Sequence, residues 1–300
     1  MPTNELIMDT QSLLNAQAGE SHGLTRRTAV KAALGVGYAA AAAPLMAQTA
    51  IKTSNEGLIA GEVIIDVGGF KMNAYRAAPS GKTNLPIILV VQEIFGVHEY
   101  IADTCRRFAK LGYMAIAAEL YQRQGDASTY NNIADLIREL VDKVSDAQVM
   151  GDLDACVAWA GNNGGDTKRL AITGFCWGGR ITWLYAAHSK AVKAGVAWYG
   201  RLVGEPSSLF PKNPVDLVGS FHAPVLGLYG RADAGIPMSS LALMQNKLEG
   251  SKNKIAKACN FVTYEDTGHA FHADYRASYR KGPAEDGWAK AIEWFKQHGV

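Results

Sequence analysis

Three hundred residues, 48% of them hydrophobic and 19% charged, are enough to close a sizeable core and argue against a disordered chain. The formal net charge is only +2 and no block of like charges occurs, which excludes a nucleic-acid or polyanion binder and points to a small-molecule partner.

The chain opens with a polar stretch that leads into Thr25-Arg26-Arg27-Thr28-Ala29-Val30-Lys31, directly ahead of an Ala-rich apolar run from Ala32 to Met46. That run is shorter and less hydrophobic than the about 20 strongly apolar residues a membrane span needs. Its arginine pair and small-residue end instead resemble a twin-arginine export signal. Residues 1–47 are therefore expected to be removed near Ala47. The expectation is a periplasmic or secreted protein, recognised by the twin-arginine export machinery and not held in the membrane afterwards. Residues 48–60 read as a leader, and 61–300 as one domain.

Glu62–Val67 and Phe70–Ala77 read as a strand pair joined by Gly68-Gly69. Pro86–Val91 is an unbroken apolar run, as expected of a strand buried on both faces. Ile101–Leu111 has helical spacing and is closed by Gly112, after which Tyr113–Ala118 forms the next strand. Tyr121 to about Asn132 is polar and reads as a loop, followed by helices near Ile133–Val144 and Ala147–Asn162. Leu170–Gly174 is a strand, Gly178–Ser189 a helix, and Ala194–Trp198 and Pro224–Tyr229 are strands. A helix at Met238–Leu248, a strand at Asn260–Tyr264 and a helix from Pro283 to His298 complete the chain. Strands alternating with helices in this way predict a doubly wound, mostly parallel sheet with helices on both faces, the α/β-hydrolase architecture.

The four cysteines, Cys105, Cys156, Cys176 and Cys259, show no C-x-x-C or other metal-ligand spacing. Cys105 and Cys156 lie in apolar helical patterns and are expected to be buried free thiols. Cys176 stands in Thr173-Gly174-Phe175-Cys176-Trp177-Gly178-Gly179, between a strand and a helix. A nucleophile on such a tight turn needs small neighbours two positions to either side, because larger ones collide as the chain reverses. The turn also sets the sulfur at a helix N-terminus, where the dipole and free N–H groups favour a thiolate and an oxyanion. A Gly-rich turn with an incidental cysteine is the plainer alternative.

Nucleophile, acid and base follow one another along the chain in this fold. Asp233, in the loop after Pro224–Tyr229, and His269, after Asn260–Tyr264, have the required order and both fall at strand ends. His269 is then the base, and Asp233 orients its imidazole. Asp266 competes as the acid but lies too close in sequence to His269. His269 and His272 have a metal-ligand spacing without a convincing third ligand, so no metal is expected. His98, His188, His222 and His298 sit in no motif and default to surface or structural roles.

Gln92-Glu93-Ile94-Phe95-Gly96, Glu119-Leu120-Tyr121-Gln122-Arg123, Gly174–Gly179, Asp233 and Gly268-His269-Ala270-Phe271 together resemble the dienelactone hydrolase family. The resemblance implies a hydrolase without a cofactor that uses a Cys-Asp-His triad on lactones or related esters. It implies that Glu93 pairs with the resting thiol and helps deliver the thiolate. It further implies that the backbone N–H groups of Ile94 and Trp177 form the oxyanion hole, and that Arg123 contacts a substrate carboxylate. Glu93 also has a physical case, since it follows a buried strand at the mouth of the expected site. One departure stands out: a second carboxylate-binding arginine of the dienelactone-specific members falls here on Ala273, with Arg276 further on. A general carboxylesterase or thioesterase is the nearest rival reading, and a non-catalytic binding protein on the same scaffold is the other.

Overall fold

The computed structural model describes residues 51–300; the expected export signal lies outside them. Eight strands form one sheet in the order β1-β2-β4-β3-β5-β6-β7-β8. They are β1 (Leu58–Val67), β2 (Phe70–Pro79), β3 (Leu85–Val91), β4 (Met114–Ala118), β5 (Gly165–Phe175), β6 (Val192–Trp198), β7 (Val225–Gly230) and β8 (Asn260–Tyr264). β1 and β2 form an antiparallel hairpin, β2 is antiparallel to β4, and every other pairing is parallel. The hairpin turns at Gly68 and Gly69, with φ of 61° and 95°. Glycine takes that left-handed backbone at no steric cost.

Alternation in the central strands explains the two-sided core. Ile88 and Val90 of β3 belong to one hydrophobic cluster, and Ile87, Leu89 and Val91 to the other. The pleat sends successive side chains to opposite faces, so a strand covered on both must be apolar throughout. Helix α1 (Glu99–Lys110) covers the first face with Ile101, Cys105 and Phe108, together with Phe295 of the last helix, α7 (Lys281–Gln297). Helix α3 (Asp146–Asn162) covers the second with Val149, Leu153, Cys156 and Ala160, a spacing that lines one helix face. The Ser145 hydroxyl starts α3 by accepting the Gln148 N–H at 3.2 Å. Cys105 and Cys156 are buried free thiols, as their positions predicted. Among the described residues no helix is long and apolar enough to cross a membrane.

Several boundaries move. Residues 58–60, expected in the leader, open β1 and pair with the end of β2. β5 begins at Gly165 rather than Leu170, because its polar start pairs with Leu85 and Pro86 before the register shifts. The helix expected over Ile133–Val144 breaks at Leu140 into α2 (Ile133–Glu139) and a 3-10 turn at Val141–Lys143. Short helices α4 (Trp177–His188), α5 (Met238–Glu249) and α6 (Lys254–Lys257) complete the layers.

Candidate active site

Parallel pairing brings the C-terminal ends of β3, β5, β7 and β8 to one edge of the sheet, where loops from separate strands can converge. Cys176 follows β5 immediately and caps α4 with φ 55° and ψ −114°. This conformation is unfavourable for a residue with a Cβ and persists only where the surroundings impose it. Here they do. The Cys176 N–H donates to the Trp198 carbonyl at 3.0 Å. A Cβ on Gly174 would lie 2.1 Å from the Gly178 carbonyl oxygen, and one on Gly178 2.4 Å from that of Val91. Backbone packs against backbone at both positions, so the glycine spacing read from the sequence is a steric requirement of this turn.

Asp233 follows β7 and is buried, with one carboxylate oxygen accepting the Gly235 N–H at 2.9 Å and the other 2.7 Å from His269 Nδ1. A carboxylate there fixes the Nδ1–H tautomer and leaves Nε2 as the nitrogen that can take a proton. The two loops are locked together. A Cβ on Gly230 would meet the Thr267 carbonyl oxygen at 2.1 Å, and the Ala232 N–H donates to that same carbonyl at 3.0 Å. Asp266, the rival acid, is exposed and stands outside the pair. Tyr199, itself at φ 38°, sets the edge of its ring against His269 with centroids 5.0 Å apart.

Glu93 is 1% exposed, and its carboxylate sits inside a polar cage. Tyr275 donates to Oε2 at 2.7 Å, and His98 Nε2 lies 3.3 Å from the same oxygen. The Arg276 guanidinium is 3.3 Å from Oε1 and also donates to the Tyr275 hydroxyl at 2.9 Å. Burial alone would push this carboxyl up. Arg276 first, then His98 and Tyr275, outweigh it and hold the group at about 2. Burial works against the charge of Arg276 as well, but Glu93 and Tyr275 keep it firmly protonated.

Arg276, His98 and Tyr275, which no sequence motif marks as partners of Glu93, make this cage, and the structural role expected of His98 is to lie buried against that carboxylate. Ala273, where the family's second arginine falls, is buried and apolar. Successive tight turns, with the Ala273 N–H on Ala270, the Arg276 N–H on Ala273 and the Tyr279 N–H on Arg276, then fold the loop back so that residue 276 carries the charge. The one available signal was a lone arginine beside a tyrosine shortly after His269.

Arg123 is engaged elsewhere. It donates to Asp152 of α3 at 2.6 Å and lies over the Phe70 ring at 4.2 Å. His272 is buried, its Nδ1 lies 2.6 Å from the Tyr100 hydroxyl oxygen, and its ring stacks on Phe175. Burial, with Arg107 nearby, pushes its imidazole down to about 3, so it is neutral and structural. No group of three or more His, Cys, Asp or Glu side chains among the described residues is placed to hold a metal ion.

Cys176 on a strained turn, an Asp–His pair and a caged carboxylate lie along one sheet edge, and comparison with known proteins places the chain in a family. The sequence profile of the dienelactone hydrolase family matches residues 72–299. The chain belongs to the dienelactone hydrolase family. A protein of Methylorubrum extorquens named "Putative carboxymethylenebutenolidase" is 59% identical over 278 residues, 92% of this chain and 94% of that one. One of the same name from Escherichia coli is 52% identical over 264 residues, 88% of this chain and 96% of that one. A crystal structure described as a "Putative Dienelactone Hydrolase" from Klebsiella pneumoniae superposes with a TM-score of 0.77 at 55% identity, covering 80% of this chain and 99% of the other. The family relationship makes the protein a hydrolase of the ester or lactone type and accounts for the sheet order. A metagenomic member of the same fold, 20% identical with a TM-score of 0.66, adds support for the fold alone.

Proposed function

We propose that this hydrolase cleaves a lactone or activated ester through an acyl-cysteine intermediate, without a cofactor. The observation that carries the reading is Cys176 on its strained turn, at the same sheet edge as the His269–Asp233 pair joined at 2.7 Å. The Cys176 thiol gives its proton to His269 Nε2, and the thiolate attacks the carbonyl carbon as the electron pair of the C=O bond moves to oxygen. The backbone N–H groups of Ile94 and Trp177 stabilise that oxyanion. Collapse expels the alkoxide, which takes a proton from the His269 imidazolium, and leaves the acyl-cysteine. His269 Nε2 then removes a proton from water as it attacks, and release of the acid regenerates the thiol side chain. A thiolate leaves such an intermediate more readily than an alkoxide does, which favours strained lactones and activated esters over amides.

The family resemblance implies that Glu93 pairs with the resting thiol and helps deliver the thiolate when substrate binds. Held at about 2 by its cage, it is too weak a base to take the thiol proton while Arg276 stays on it, so that help requires Arg276, a cation that attracts an anionic substrate, to be drawn away. The relatives named carboxymethylenebutenolidase suggest a lactone bearing a carboxylate. Arg123 is tethered to a buried Asp152, and this favours a structural part for it over the substrate contact that the family resemblance implies. The arginine pair Arg26-Arg27 and the apolar run behind it support export through the twin-arginine machinery to the periplasm or beyond.

The test is a panel of lactones and aryl esters offered to the wild type and to Cys176→Ala. Hydrolysis is expected for the wild type and abolished in the variant. Undiminished turnover by Cys176→Ala would remove the acyl-cysteine route. Inertness of the wild type toward every activated ester, with small-molecule binding retained, would favour a non-catalytic role.

A further inference from the structure

Glu119 directly follows β4 and takes no part in the chemistry described above, yet it is only 8% exposed. It reaches across to the segment that joins β3 to α1, and its Oε1 accepts the Val97 N–H at 3.0 Å. The other oxygen lies against Gly96, where φ is 77° and an added Cβ would fall 3.1 Å from Oε2. That segment, residues 92–98, carries both Glu93 and the Ile94 N–H. Its first end is fixed by the sheet. Its last end is fixed by α1, whose first turn donates the Ile101 and Ala102 N–H groups to the His98 carbonyl. Between those ends, Glu119 supplies the acceptor for Val97 and the wall against which the left-handed Gly96 turns.

The geometry points to Glu119 as a positioning residue that holds the Glu93–Val97 turn in its working conformation, and so sets the oxyanion donor and the thiol-activating carboxylate from outside the site. The inference rests on the proposed role of Ile94 and Glu93. A buried backbone N–H without an acceptor is costly, so the turn without Glu119 is driven to rearrange. A displacement of about 1 Å at a reacting centre can cost on the order of a hundredfold in rate.

The groups facing Glu119 make this hold pH-dependent. Burial pushes its carboxyl up to about 7; the Val97 N–H pulls the other way, and Asp126 and Glu62 reinforce the rise. Tyr121, a further titratable neighbour, stays protonated, its hydroxyl raised well above the ordinary phenol range by burial first. No cation is among the groups acting on Glu119. The Val97 N–H favours the ionised carboxylate, but burial outweighs it, so ionisation costs the folded turn stability and the hold loosens as pH rises through this range.

The experiment measures kcat and KM for p-nitrophenyl acetate with wild type, Glu119→Gln and Glu119→Leu from about pH 5.5 to 8.5, the span in which the group titrates. Glu119→Leu, which offers no acceptor, is expected to lose roughly 10- to 100-fold in kcat with a much smaller change in KM. Glu119→Gln keeps an acceptor oxygen without a charge and should restore most of that loss. The ratio of wild-type kcat to Glu119→Gln kcat is expected to be flat in acid and to fall through about pH 7, because groups common to both proteins cancel in the ratio. A ratio independent of pH, or full kcat in Glu119→Leu, would overturn the inference. Loss of all activity in the wild type would instead overturn the proposed function, so the two failures are distinct. Circular dichroism and Tm on the same samples separate misfolding from misplacement, and restoration by Gln but not Leu keeps the test decisive if Leu destabilises the fold.

Discussion

Arg276→Gln tests whether the cage around Glu93 is what stabilises its charge. The Glu93 carboxyl falls from an ordinary 4.5 to about 2 in the fold, which corresponds to about 3 kcal/mol of native stability at neutral pH. Arg276 is the largest of the groups that lower it, so removing the guanidinium forfeits most of that amount. Breaking a buried ion pair from one side typically costs roughly 3–5 kcal/mol, which agrees in scale. A carboxyl whose pKa is depressed by folding contributes stability above its unfolded value, and that contribution disappears as pH falls through the folded value. The gap between wild type and variant should therefore be about 3 kcal/mol at pH 7 and narrow steadily below about pH 4.5. Arg276 also packs on the Phe95 ring, at 4.9 Å, and that part of the loss does not vary with pH. Urea unfolding followed by tryptophan fluorescence at several pH values between about 3 and 7 measures the difference directly. A difference that stays constant over this range, or one below about 0.5 kcal/mol at pH 7, would refute the reasoning.

Asp233→Asn removes the carboxylate that fixes the His269 tautomer, and esterase kcat should fall on the order of 10³- to 10⁴-fold with little change in Tm. Gly178→Ala pushes a Cβ to 2.4 Å from the Val91 carbonyl oxygen and 2.5 Å from that of Gln92. Thermal unfolding should show a loss of roughly 1–3 kcal/mol, and kcat should fall about a hundredfold because the turn must move. Arg123→Met leaves Asp152 buried without its cation. Its stability should drop by roughly 3 kcal/mol, while kcat/KM for carboxylate-bearing and neutral esters changes in equal proportion. A selective rise in KM for the charged ester would restore Arg123 to the substrate site.

The features legible in the sequence are those that short-range physics dictates. The Gly174-x-Cys176-x-Gly178 spacing announces a turn because the backbone clash it avoids lies within a few residues. The run Pro86–Val91 announces a doubly covered strand because both of its faces must be apolar. The order Cys176, Asp233, His269 followed from strand ends that parallel pairing brings to one edge, and the structure places the Asp–His pair in contact. The start of β5 at Gly165 was hidden because its polar first residues are in a strand only through their partners, and that of β1 at Leu58 because only its pairing with β2 separates it from the polar residues before it. Arg276, His98 and Tyr275 around Glu93 were hidden for a related reason. A loop folding back on itself, and residues more than 180 positions apart in the chain, make that cage. The same holds for Arg123, which follows a recognisable motif yet is claimed by Asp152 on a helix packed beneath it. Residue type and spacing determined which chemistry this chain carries. Only the tertiary structure decided which charges face each other, since Coulomb and hydrogen-bond energies depend on separation in space and not along the chain.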